Sequence, residues 1–572
     1  MSLSVLTIAE IRAVEEAANA AGYAYEQMME DAGTAAAERA VALLDGIQQP
    51  KVTVLVGPGN NGGDGLVVGR VIAQQIPDAQ VRFYLLSRRD EAKDSVFASA
   101  QSAGLFMAYS EDDRDHRVLR NMVASADLIV DALLGIGAKP PLKQPVQRIL
   151  RSVRQAVEER RSASRLRTRT IDPTAPNQIE YPPRQIILAI DCPSGLDCDT
   201  GEIDSTVLHA EETVTFIAAK PGVLMFPGAA AVGKLRIAPL EMPEGFTLPE
   251  SKVQLLDHAG IAALLPPRAP DSHKGTFGKV MVIAGSGNYT GAALLSSRAA
   301  YRSGAGLVTV GVPAPVAGAL AGQLLEATWL LLAHDLGVLS ANAAETIHKE
   351  IEGYKSLLIG PGLGTESTTL ELIRRLFTRK PAQSKRDMGF GVSTAEGTSD
   401  SQTEITLPPT VIDADGLNLL SKIEEWWKLL PAETVLTPHP AEMGRLSQLS
   451  TDEVQAQRLD LARAKTEEWN AVVILKGAMT VIAAPDGRLT LSPFKTDALA
   501  TAGTGDVLAG LIAGLLAQGL KPFDAAQSAV YIHGLAGVKA AEQFGSGQHP
   551  SGRSVLAGDV LDHITEAFRD FA

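Results

Sequence analysis

The sequence predicts an α/β protein with doubly wound parallel sheets, arranged in two domains. Three observations lead to this prediction. Short, continuous apolar runs recur along the chain, as expected of parallel strands that are covered on both faces. Amphipathic helical patterns lie between these runs, and such alternation is typical of βαβ units. The chain has 572 residues, whereas a single core stops growing at about 250–300 residues, so one domain is too few.

The apolar runs define the predicted strands. In chain order they are Val52–Val56, Val81–Leu86, Leu128–Val130, Ile186–Ile190, Val280–Ala284, Leu307–Val312, Leu357–Ile359, Thr410–Ile412 and Val472–Leu475. A late amphipathic pattern predicts a helix over Val507–Leu516. We place the domains at residues 1–245 and 251–572, with the turn-forming segment Pro243–Glu250 as the linker between them.

Two polar segments interrupt the alternation of strands and helices. The first, at about residues 155–185, has five arginines between Arg160 and Arg169, followed by a proline-containing stretch. The second covers about residues 380–408 and is rich in Ser, Thr and Gly. Because neither segment has apolar periodicity, we interpret both as surface inserts that are at least partly disordered.

Composition excludes several classes of protein. The chain has 52 Lys and Arg against 66 Asp and Glu, a net charge of −14, so we expect no nucleic-acid binding. No apolar run reaches the roughly 20 residues needed to span a bilayer, so we expect no membrane insertion. Only Cys192 and Cys198 are present, which argues against a disulfide framework. With no recognisable signal peptide, a cytoplasmic location is expected.

A glycine-rich loop follows the first predicted strand. Residues Gly57–Gly65 read GPGNNGGDG and match GxGxxG, in which glycines let backbone N–H groups approach a pyrophosphate. The acid expected at the end of the next strand is replaced by Ser87–Arg89, which disfavours an ordinary NAD dehydrogenase. A phosphate-binding turn does not require the polar side chains of Asn60, Asn61 and Asp64, so their presence indicates a functional site. The alternative is a strand–helix turn that these residues cap.

Two later strands end in aspartate. Asp131 and Asp191 are each followed by a glycine-containing loop, the second of which contains Ser194. Because the carboxyl ends of parallel strands meet in one crevice, these loops are expected to converge. Asn61, Asp131 and Ser194 can then supply hard oxygen ligands to a cation, while Asp191 faces a substrate as an acid or base. One such aspartate alone is more often a helix cap.

These segments identify a family. GPGNNGGDG, VDALLGIGA, AIDCPSGLDCDTG and FIAAKPG, in this order, resemble the NAD(P)H-hydrate epimerase family, which has a Rossmann-like three-layer fold. The resemblance covers about residues 8–245 and implies interconversion of the R and S hydrates at nicotinamide C6. It implies K⁺ bound by Asn61, Asp131 and Ser194, with Asp191 as the catalytic or substrate-contacting carboxylate. The other implied substrate contacts are Asn60, Asn61, Gly62, Gly63, Asp64, Gly135, Ile136, Gly137, Ala138, Lys139, Pro140 and Pro141.

In the second half the motif ATAGTGD opens the predicted helix. The backbone N–H groups of Gly503–Gly505 at a helix N-terminus form an anion hole. Asp506 is placed to take a proton from a hydroxyl that attacks a phosphoryl group. Lys476, after a strand and before Gly477, supplies a cation for nucleotide phosphates. The alternatives are a helix-dipole aspartate and an exposed strand-end lysine.

The second half also matches a family. GSGNYTGA, SGAGLVTV, GPGLG, DADGLN, TPHPAEM, KG and GTGD resemble the NAD(P)H-hydrate dehydratase family of ribokinase-like α/β proteins, over about residues 256–566. One departure is Ala441, where relatives usually have glycine. The resemblance implies hydrate contacts at Ala292, Gly362 (or the adjacent Gly364), His439 and the catalytic Asp506. The implied nucleotide contacts are Lys476, Gly477, Ala478, Met479, Thr480 and Gly505.

Together the halves predict a bifunctional nicotinamide-nucleotide repair enzyme. It would take NADHX, NADPHX and ADP, convert the S hydrate to NAD(P)H with release of AMP and phosphate, use Mg²⁺ at the phosphates and form a homo-oligomer. One alternative is a ribokinase-like kinase of a vitamin precursor or sugar with a regulatory Rossmann-like domain. Another is a nucleotide-sensing module that recruits partners through the arginine-rich insert. The Asn and Asp loops of the first half favour catalysis.

Overall fold

The computed structural model describes residues 3–163, 165–166, 179–180, 184–378, 406–545 and 551–571. These residues form two compact units, Leu3–Ser251 and a second unit that begins at Lys252. The segment Pro243–Glu250 lies directly before this boundary. Both units alternate strands and helices around mainly parallel sheets, so the predicted fold class is confirmed.

The N-terminal unit contains a seven-stranded parallel sheet within its described residues. Its strands lie in the order Lys234–Ala238, Glu212–Phe216, Ile186–Ile190, Leu128–Ala132, Lys51–Val56, Gln80–Leu85 and Phe106–Tyr109. Its α-helices are Ile8–Ala20, Tyr25–Leu43, Asn60–Gln75, Ser95–Ser102, Arg117–Ser125, Gln144–Ser162 and Gly228–Ala231, with 3₁₀ turns at Arg114–His116 and Pro221–Leu224. Short strands occur at Leu3–Ser4, Arg165–Leu166 and Ile179–Glu180.

Helices cover both faces of this sheet, which explains its continuously apolar strands. On the strand Lys51–Val56, Val54 and Val56 belong to one buried cluster and Leu55 to another. Successive side chains point to opposite faces of a strand, so the two clusters lie on opposite sides of the sheet. Each cluster is completed by helices, for example Leu66 on one side and Ile149 on the other.

The order of the N-terminal strands reverses at one place. From Lys51–Val56 the chain moves outward to Gln80–Leu85 and then to Phe106–Tyr109. It returns to Leu128–Ala132 on the other side of the first strand and continues outward from there. In open α/β sheets ligands bind at such a switch point, outside the carboxyl ends of the strands. The predicted loops after Val56 and after Ala132 therefore flank the crevice.

The C-terminal unit has a larger sheet. Its strands lie in the order Val253–Leu255, Leu489–Leu491, Val481–Ala483, Val472–Leu475, Thr434–Leu436, Thr410–Ile412, Ser356–Ile359, Lys279–Ile283, Leu307–Pro313 and Thr328–Leu332. A two-stranded antiparallel pair is formed by His334–Asp335 and Val338–Leu339. The α-helices are His258–Leu264, Thr290–Arg302, Ala314–Leu320, Ala343–Glu350, Ser367–Phe377, Asp415–Leu420, Pro440–Ser447, Thr451–Ala456, Arg458–Trp469, Thr504–Ala517, Pro522–Phe544 and Ala557–Arg569, with 3₁₀ turns at Trp426–Leu429 and Asp497–Leu499.

This sheet is parallel except around one hairpin. The strand Val481–Ala483 runs antiparallel to both of its neighbours. Chain order reverses between Lys279–Ile283 and Ser356–Ile359, which defines a second switch point. The backbone N–H of Gly285, after the first of these strands, donates to Pro361 O after the second at 2.8 Å. The two glycine loops therefore meet at the carboxyl ends of their strands.

The structure differs from the sequence prediction at the first insert. Residues 158–162, assigned to the arginine-rich insert, form the last turn of the helix Gln144–Ser162. Arg160 belongs to the folded unit, because its Nη1 donates to Ala126 O at 2.6 Å. Cations in a last helical turn also favour the helix dipole. Residues 164, 167–178 and 181–183 of this insert and residues 380–405 of the second insert lie outside the described residues.

None of the helices in the described ranges is long and apolar enough to cross a membrane.

Candidate active sites

The switch point of the N-terminal sheet opens into a cavity of about 540 Å³. Its lining includes many of the predicted residues, namely Asn60, Asn61, Asp64, Gly135, Ile136, Gly137, Ala138 and Asp191. Arg12 and Glu15, from the helix Ile8–Ala20, also line it, together with Lys220. With Glu26, the cavity therefore combines polar loops, four carboxylates and two cations.

Close packing shapes the first glycine loop. A Cβ on Gly57 would lie 1.8 Å from Leu133 O, and one on Gly62 would lie 2.0 Å from Gly57 O. Larger residues therefore cannot occupy these positions without movement of the backbone. Arg89 fixes the same loop, since its Nη1 donates to Gly57 O at 2.7 Å and its Nε contacts Asp94 Oδ2 at 2.6 Å. Arg89 thus stabilises the loop by binding its backbone.

Oxygen atoms from three loops converge beside this cavity. Ser194 Oγ donates to Asp131 Oδ1 at 2.6 Å, and Ser194 N donates to Asp131 Oδ2 at 2.9 Å. Leu134 N donates to Ser194 Oγ at 2.9 Å, while Leu134 O accepts from Asn61 Nδ2 at 2.9 Å. Asn61 Oδ1 is buried with no hydrogen-bond partner. Burial raises the pKa of Asp131, and the hydrogen bonds from Ser194 offset this in part.

Asp191 forms a buried ion pair with Lys220. Asp191 has a φ of +65°, a conformation that costs a non-glycine residue roughly 1–3 kcal/mol and that clusters at functional sites. Lys220 Nζ donates to Asp191 Oδ1 at 2.6 Å and to Thr215 Oγ1 at 2.7 Å. Thr215 Oγ1 itself donates to Asp191 Oδ1 at 3.0 Å. All of these donors bind Oδ1, so Oδ2 is left for a ligand in the cavity.

Asp64 has a different environment from Asp191. It is the fifth residue of the helix Asn60–Gln75 and is 9% exposed. Burial, followed by repulsion from Asp191 and Glu15, raises the pKa of Asp64 well above its ordinary value. Burial and the charge of Asp191 also raise the pKa of Glu15. The cavity therefore holds one carboxylate that is paired with a lysine and two whose pKa values are raised.

In the C-terminal unit, four charged side chains form the core of a second site. Lys476 Nζ donates to Asp413 Oδ1 at 2.8 Å and lies 3.8 Å from Glu442 Oε2. Burial, then the neighbouring Asp413, raises the pKa of Asp506 to about 7. Burial lowers the pKa of Lys476, but Asp413 and Glu442 outweigh it and the net direction is upward. The lysine therefore stays charged among carboxylates.

Glycine at the helix start brings this cluster close to the backbone. The helix Thr504–Ala517 begins after Gly503, which has a φ of +92°. A Cβ on Gly505 would lie 3.4 Å from Lys476 Nζ and 3.9 Å from Asp413 Oδ2. Asp413 Oδ2 is buried without a hydrogen-bond partner. The first turn of the helix thus faces both a cation and an uncompensated carboxylate oxygen.

His439 is held as a helix cap. Its Nδ1 accepts from Ala441 N at 3.1 Å and from Glu442 N at 3.3 Å, and its Nε2 lies 3.3 Å from Glu442 Oε1. Burial and then Lys476 lower the pKa of His439, whereas burial raises the pKa of Glu442 to about 7. Because both ring nitrogens are engaged, the geometry favours a binding role for His439 over proton acceptance.

A cavity of about 200 Å³ lies beside the same helix start. Its lining includes the predicted nucleotide contacts Lys476, Gly477, Ala478, Thr480 and Gly505. Phe494 and the buried His533 also line it. Burial lowers the pKa of His533 to about 4, so its imidazole is neutral at pH 7. The apolar and neutral lining suits a flat heterocycle next to a phosphate-binding loop.

The predicted hydrate contacts lie at the second switch point. Gly362 has a φ of +63°, and a Cβ there would lie 2.9 Å from the Cβ of Ala292. Gly364 N donates to Asp415 Oδ2 at 2.9 Å, and the charge of Asp415 in turn raises the pKa of Asp506. The glycine loops and the charged cluster therefore belong to one site.

Comparisons with known proteins cover nearly the whole chain. A family model described as NAD(P)H-hydrate dehydratase matches residues 280–382 and 388–553, and one described as YjeF-related protein N-terminus matches residues 25–222. The bifunctional NAD(P)H-hydrate repair enzyme of Moorella thermoacetica is 33% identical over 550 residues, 95% of this chain and 92% of the relative. The chain belongs to the family of bifunctional NAD(P)H-hydrate repair enzymes.

Another member of the repair-enzyme family is also similar over nearly the whole chain. The enzyme of that name from Coxiella burnetii is 32% identical over 97% of both chains. Among solved structures, an ADP/ATP-dependent NAD(P)H-hydrate dehydratase from Bacillus subtilis, co-crystallised with ATP and Mg²⁺, is 30% identical and covers 55% of this chain and 96% of its own, with a TM-score of 0.43. The family predicted from the sequence motifs is confirmed.

In this repair-enzyme family member, some predicted contacts lie away from the two cavities. Gly62 and Gly63 do not line the first cavity; a Cβ on Gly63 would lie 2.3 Å from Met29 Sδ. Lys139, Pro140 and Pro141 follow the lining residues in sequence without lining the cavity themselves. Met479 is buried, and its backbone N–H donates to Phe494 O at 2.9 Å. These residues support the loops that carry the contacts.

Sequence reasoning assigned no role to several residues that line the repair-enzyme cavities or belong to the charged clusters. They are Arg12, Glu15, Lys220, Asp413, Glu442, Phe494 and His533. Lys220 and Glu442 lie within quoted motifs, so their position offered a signal. The helix Ile8–Ala20 offered none, because Arg12 and Glu15 look like the solvent face of an amphipathic helix.

Proposed function

We propose that this chain repairs hydrated NADH and NADPH in two steps at two separate sites. The N-terminal cavity interconverts the R and S hydrates, and the C-terminal site dehydrates the S hydrate at the expense of ADP, giving AMP and phosphate. The single observation that carries the second step is the placement of Asp506, Lys476 and Asp413 around the first turn of the helix Thr504–Ala517. This arrangement suits phosphoryl transfer to a hydroxyl.

The proposed dehydration begins with the C6 hydroxyl of the hydrate. Asp506 accepts the hydroxyl proton as the oxygen attacks the terminal phosphorus of ADP. The backbone N–H groups at the helix start and Lys476 compensate the charge of the transferred phosphoryl group. The lone pair of the ring nitrogen then expels phosphate from C6, and loss of the C5 proton restores the reduced nicotinamide.

The residues around Asp506 fit a magnesium ion. Mg²⁺ prefers carboxylate and phosphate oxygens, and Asp413 Oδ2 is buried without a partner near Gly505. We therefore assign Asp413 as the protein residue that would hold Mg²⁺ together with the nucleotide phosphates. The ion would supply charge compensation for the phosphoryl group.

The oxygen cluster of the N-terminal unit fits a potassium ion. Its donors are hard oxygens on Asn61, Asp131 and Ser194, and Asn61 Oδ1 is buried without a partner. These three residues would hold K⁺, which would supply positive charge near the hydroxyl that leaves and returns. Asp191, whose Oδ1 is bound by Lys220, is the proposed acid or base that faces the substrate.

Two further expectations remain proposals. Cys192 and Cys198 are both free, which supports a reducing, cytoplasmic location. A homo-oligomer is expected, and sedimentation of the full chain measures it directly.

A single assay tests the function. The full chain is mixed with a mixture of R and S NADHX, MgCl₂, KCl and either ADP or ATP, and reduced-nicotinamide absorbance is followed. We expect complete conversion of both hydrates with one nucleotide phosphate bond cleaved per NADH formed. Absence of any absorbance return with both nucleotides contradicts the proposal and favours a kinase of another substrate. The same assay with NADPHX measures the preference between the two hydrates.

A further inference from the structure

We propose that Asp64 is the general acid of the epimerase site and that it works with Asp191 as the general base. This inference rests on the proposed epimerase function of the N-terminal unit. It assigns to Asp64 a catalytic proton transfer in addition to binding.

The two carboxylates reach the same cavity from different elements. Asp191 directly follows the strand Ile186–Ile190, and Asp64 is the fifth residue of the helix Asn60–Gln75. Both line the cavity of about 540 Å³. In the proposed arrangement a flat ring lies in that cavity between the two carboxylates, so that each faces one side of C6. Epimerisation requires this, because the hydroxyl must leave from one face of C6 and return to the other.

The two carboxylates differ in their charged neighbours. The groups that face Asp64 are Asp191, Glu15, Lys220 and Arg89. Lys220 is bound to Asp191 at 2.6 Å, and Arg89 is bound to Asp94 at 2.6 Å. None of the hydrogen bonds found among the described residues ends on the Asp64 carboxylate.

The consequence is a division of roles. Burial and the repulsion of Asp191 raise the pKa of Asp64 well above its ordinary value, a shift in the direction that suits a proton donor. Asp191 has a lysine partner for its negative charge. Two titratable groups whose environments separate their proton affinities are the usual arrangement of an acid and a base.

The reaction is balanced with these two groups alone and water. Asp64 gives its proton to the C6 hydroxyl, the C6–O bond breaks, and the ring-nitrogen lone pair forms a C6=N bond as water leaves. A second water attacks the opposite face of C6, and Asp191 takes its proton while the electron pair returns to nitrogen. The proton then sits on Asp191 rather than Asp64, which is the state needed to run the reverse reaction. Proton exchange with water in the cavity then returns the proton to Asp64 and leaves Asp191 ionised.

The first test compares Asp64→Asn with wild type in the full chain. Asparagine has the shape of a neutral carboxylic acid, so we expect NADPHX to bind within a few-fold of wild type. We expect the R-to-S rate to fall by roughly 10²–10⁴, the range for loss of a general acid. Dehydration of pure S hydrate by the same preparation stays unchanged, since that site lies in the other unit. Asp113→Asn is the control, because Asp113 is equally buried but caps the helix Arg117–Ser125 outside the cavity.

The second measurement does not depend on a variant. In H₂¹⁸O the wild-type protein is expected to place one solvent oxygen on C6 for each epimerisation event. Epimerisation with retention of the original oxygen overturns the proposal, because no hydroxyl would then leave. An epimerisation rate of Asp64→Asn within tenfold of wild type also overturns the proposal. The same holds if Glu15→Gln loses epimerisation while Asp64→Asn keeps it. Failure of wild type to interconvert the hydrates at all would instead remove the proposed function.

Discussion

Asp506 is the residue on which the proposed dehydration depends most directly. Its substitution by asparagine keeps the shape at the helix start and removes the group that accepts the hydroxyl proton. We expect Asp506→Asn to lower the dehydration rate by roughly 10²–10⁴ while ADP binding and epimerisation persist. The matched control is Asp559→Asn, which changes an aspartate at the equivalent third position of another helix. A variant that binds ADP and dehydrates within tenfold of wild type shows that Asp506 is not the base.

The pKa of Asp506 also predicts how the rate depends on pH. The group must be ionised to accept a proton, and its pKa is raised to about 7. We therefore expect the dehydration rate to rise as pH increases through about 7 and then to level off. The measurement is kcat with saturating ADP and S hydrate between pH 5.5 and 9 in an assay corrected for spontaneous hydrolysis. A rate that is flat across pH 6–8 contradicts the assignment.

The same shift makes a prediction about stability. A carboxyl whose folded pKa is raised favours the folded state below its ordinary pKa of 3.8 and loses that contribution as pH rises to about 7. Asp506→Asn removes this dependence. We expect the Tm of the variant minus that of wild type to increase from pH 4 to pH 7 and to stay constant above. A difference that falls over this interval shows that Asp506 is ionised in the folded protein at low pH.

At the scale of elements, the helix Thr504–Ala517 packs against Thr290–Arg302 through glycine. A Cβ on Gly510 would lie 2.1 Å from Ser296 O, whereas a Cβ on Gly558 meets no atom within 4 Å. We expect Gly510→Ala to lower the free energy of unfolding of the C-terminal unit by about 1–3 kcal/mol. Gly558→Ala is the control and should be neutral or stabilising by up to about 1 kcal/mol. Denaturant melts of both variants compare them, and equal stability of the two contradicts the tight packing.

Among the elements, the bounds of several buried strands were predicted correctly from the sequence. The predicted strands Ile186–Ile190, Thr410–Ile412 and Val472–Leu475 have the observed bounds, because buried parallel strands are continuous apolar runs. The strand Glu212–Phe216 was missed. Its Glu212 and two threonines interrupt the apolar run, and Arg39 compensates Glu212 at 2.5 Å in the folded unit.

At the scale of the whole molecule, the division at Ser251 and Lys252 predicts that the two activities are separable. We expect a fragment that begins at Lys252 to dehydrate S hydrate at the rate of the full chain and to leave R hydrate, apart from spontaneous epimerisation. Each unit has its own buried core, so each fragment should unfold cooperatively. Complete conversion of R hydrate by this fragment at the full rate contradicts the assignment of epimerisation to the N-terminal unit.

The sequence by itself determined the fold class, the family and the loops that line the N-terminal cavity. These are local properties: apolar periodicity, glycines at strand ends and ordered motifs such as GTGD are all readable within a few residues. Asp64, Asp191 and Asp506 were located in this way.

Only the tertiary structure decided which groups act on one another. The order of strands sets the two switch points, and contacts between distant positions pair Asp191 with Lys220 and Asp413 with Lys476. Burial and neighbouring charge raise the pKa of Asp64 and of Asp506 above the ordinary value of an aspartate. No local pattern encodes such differences, because they depend on desolvation and on neighbours brought together by the fold.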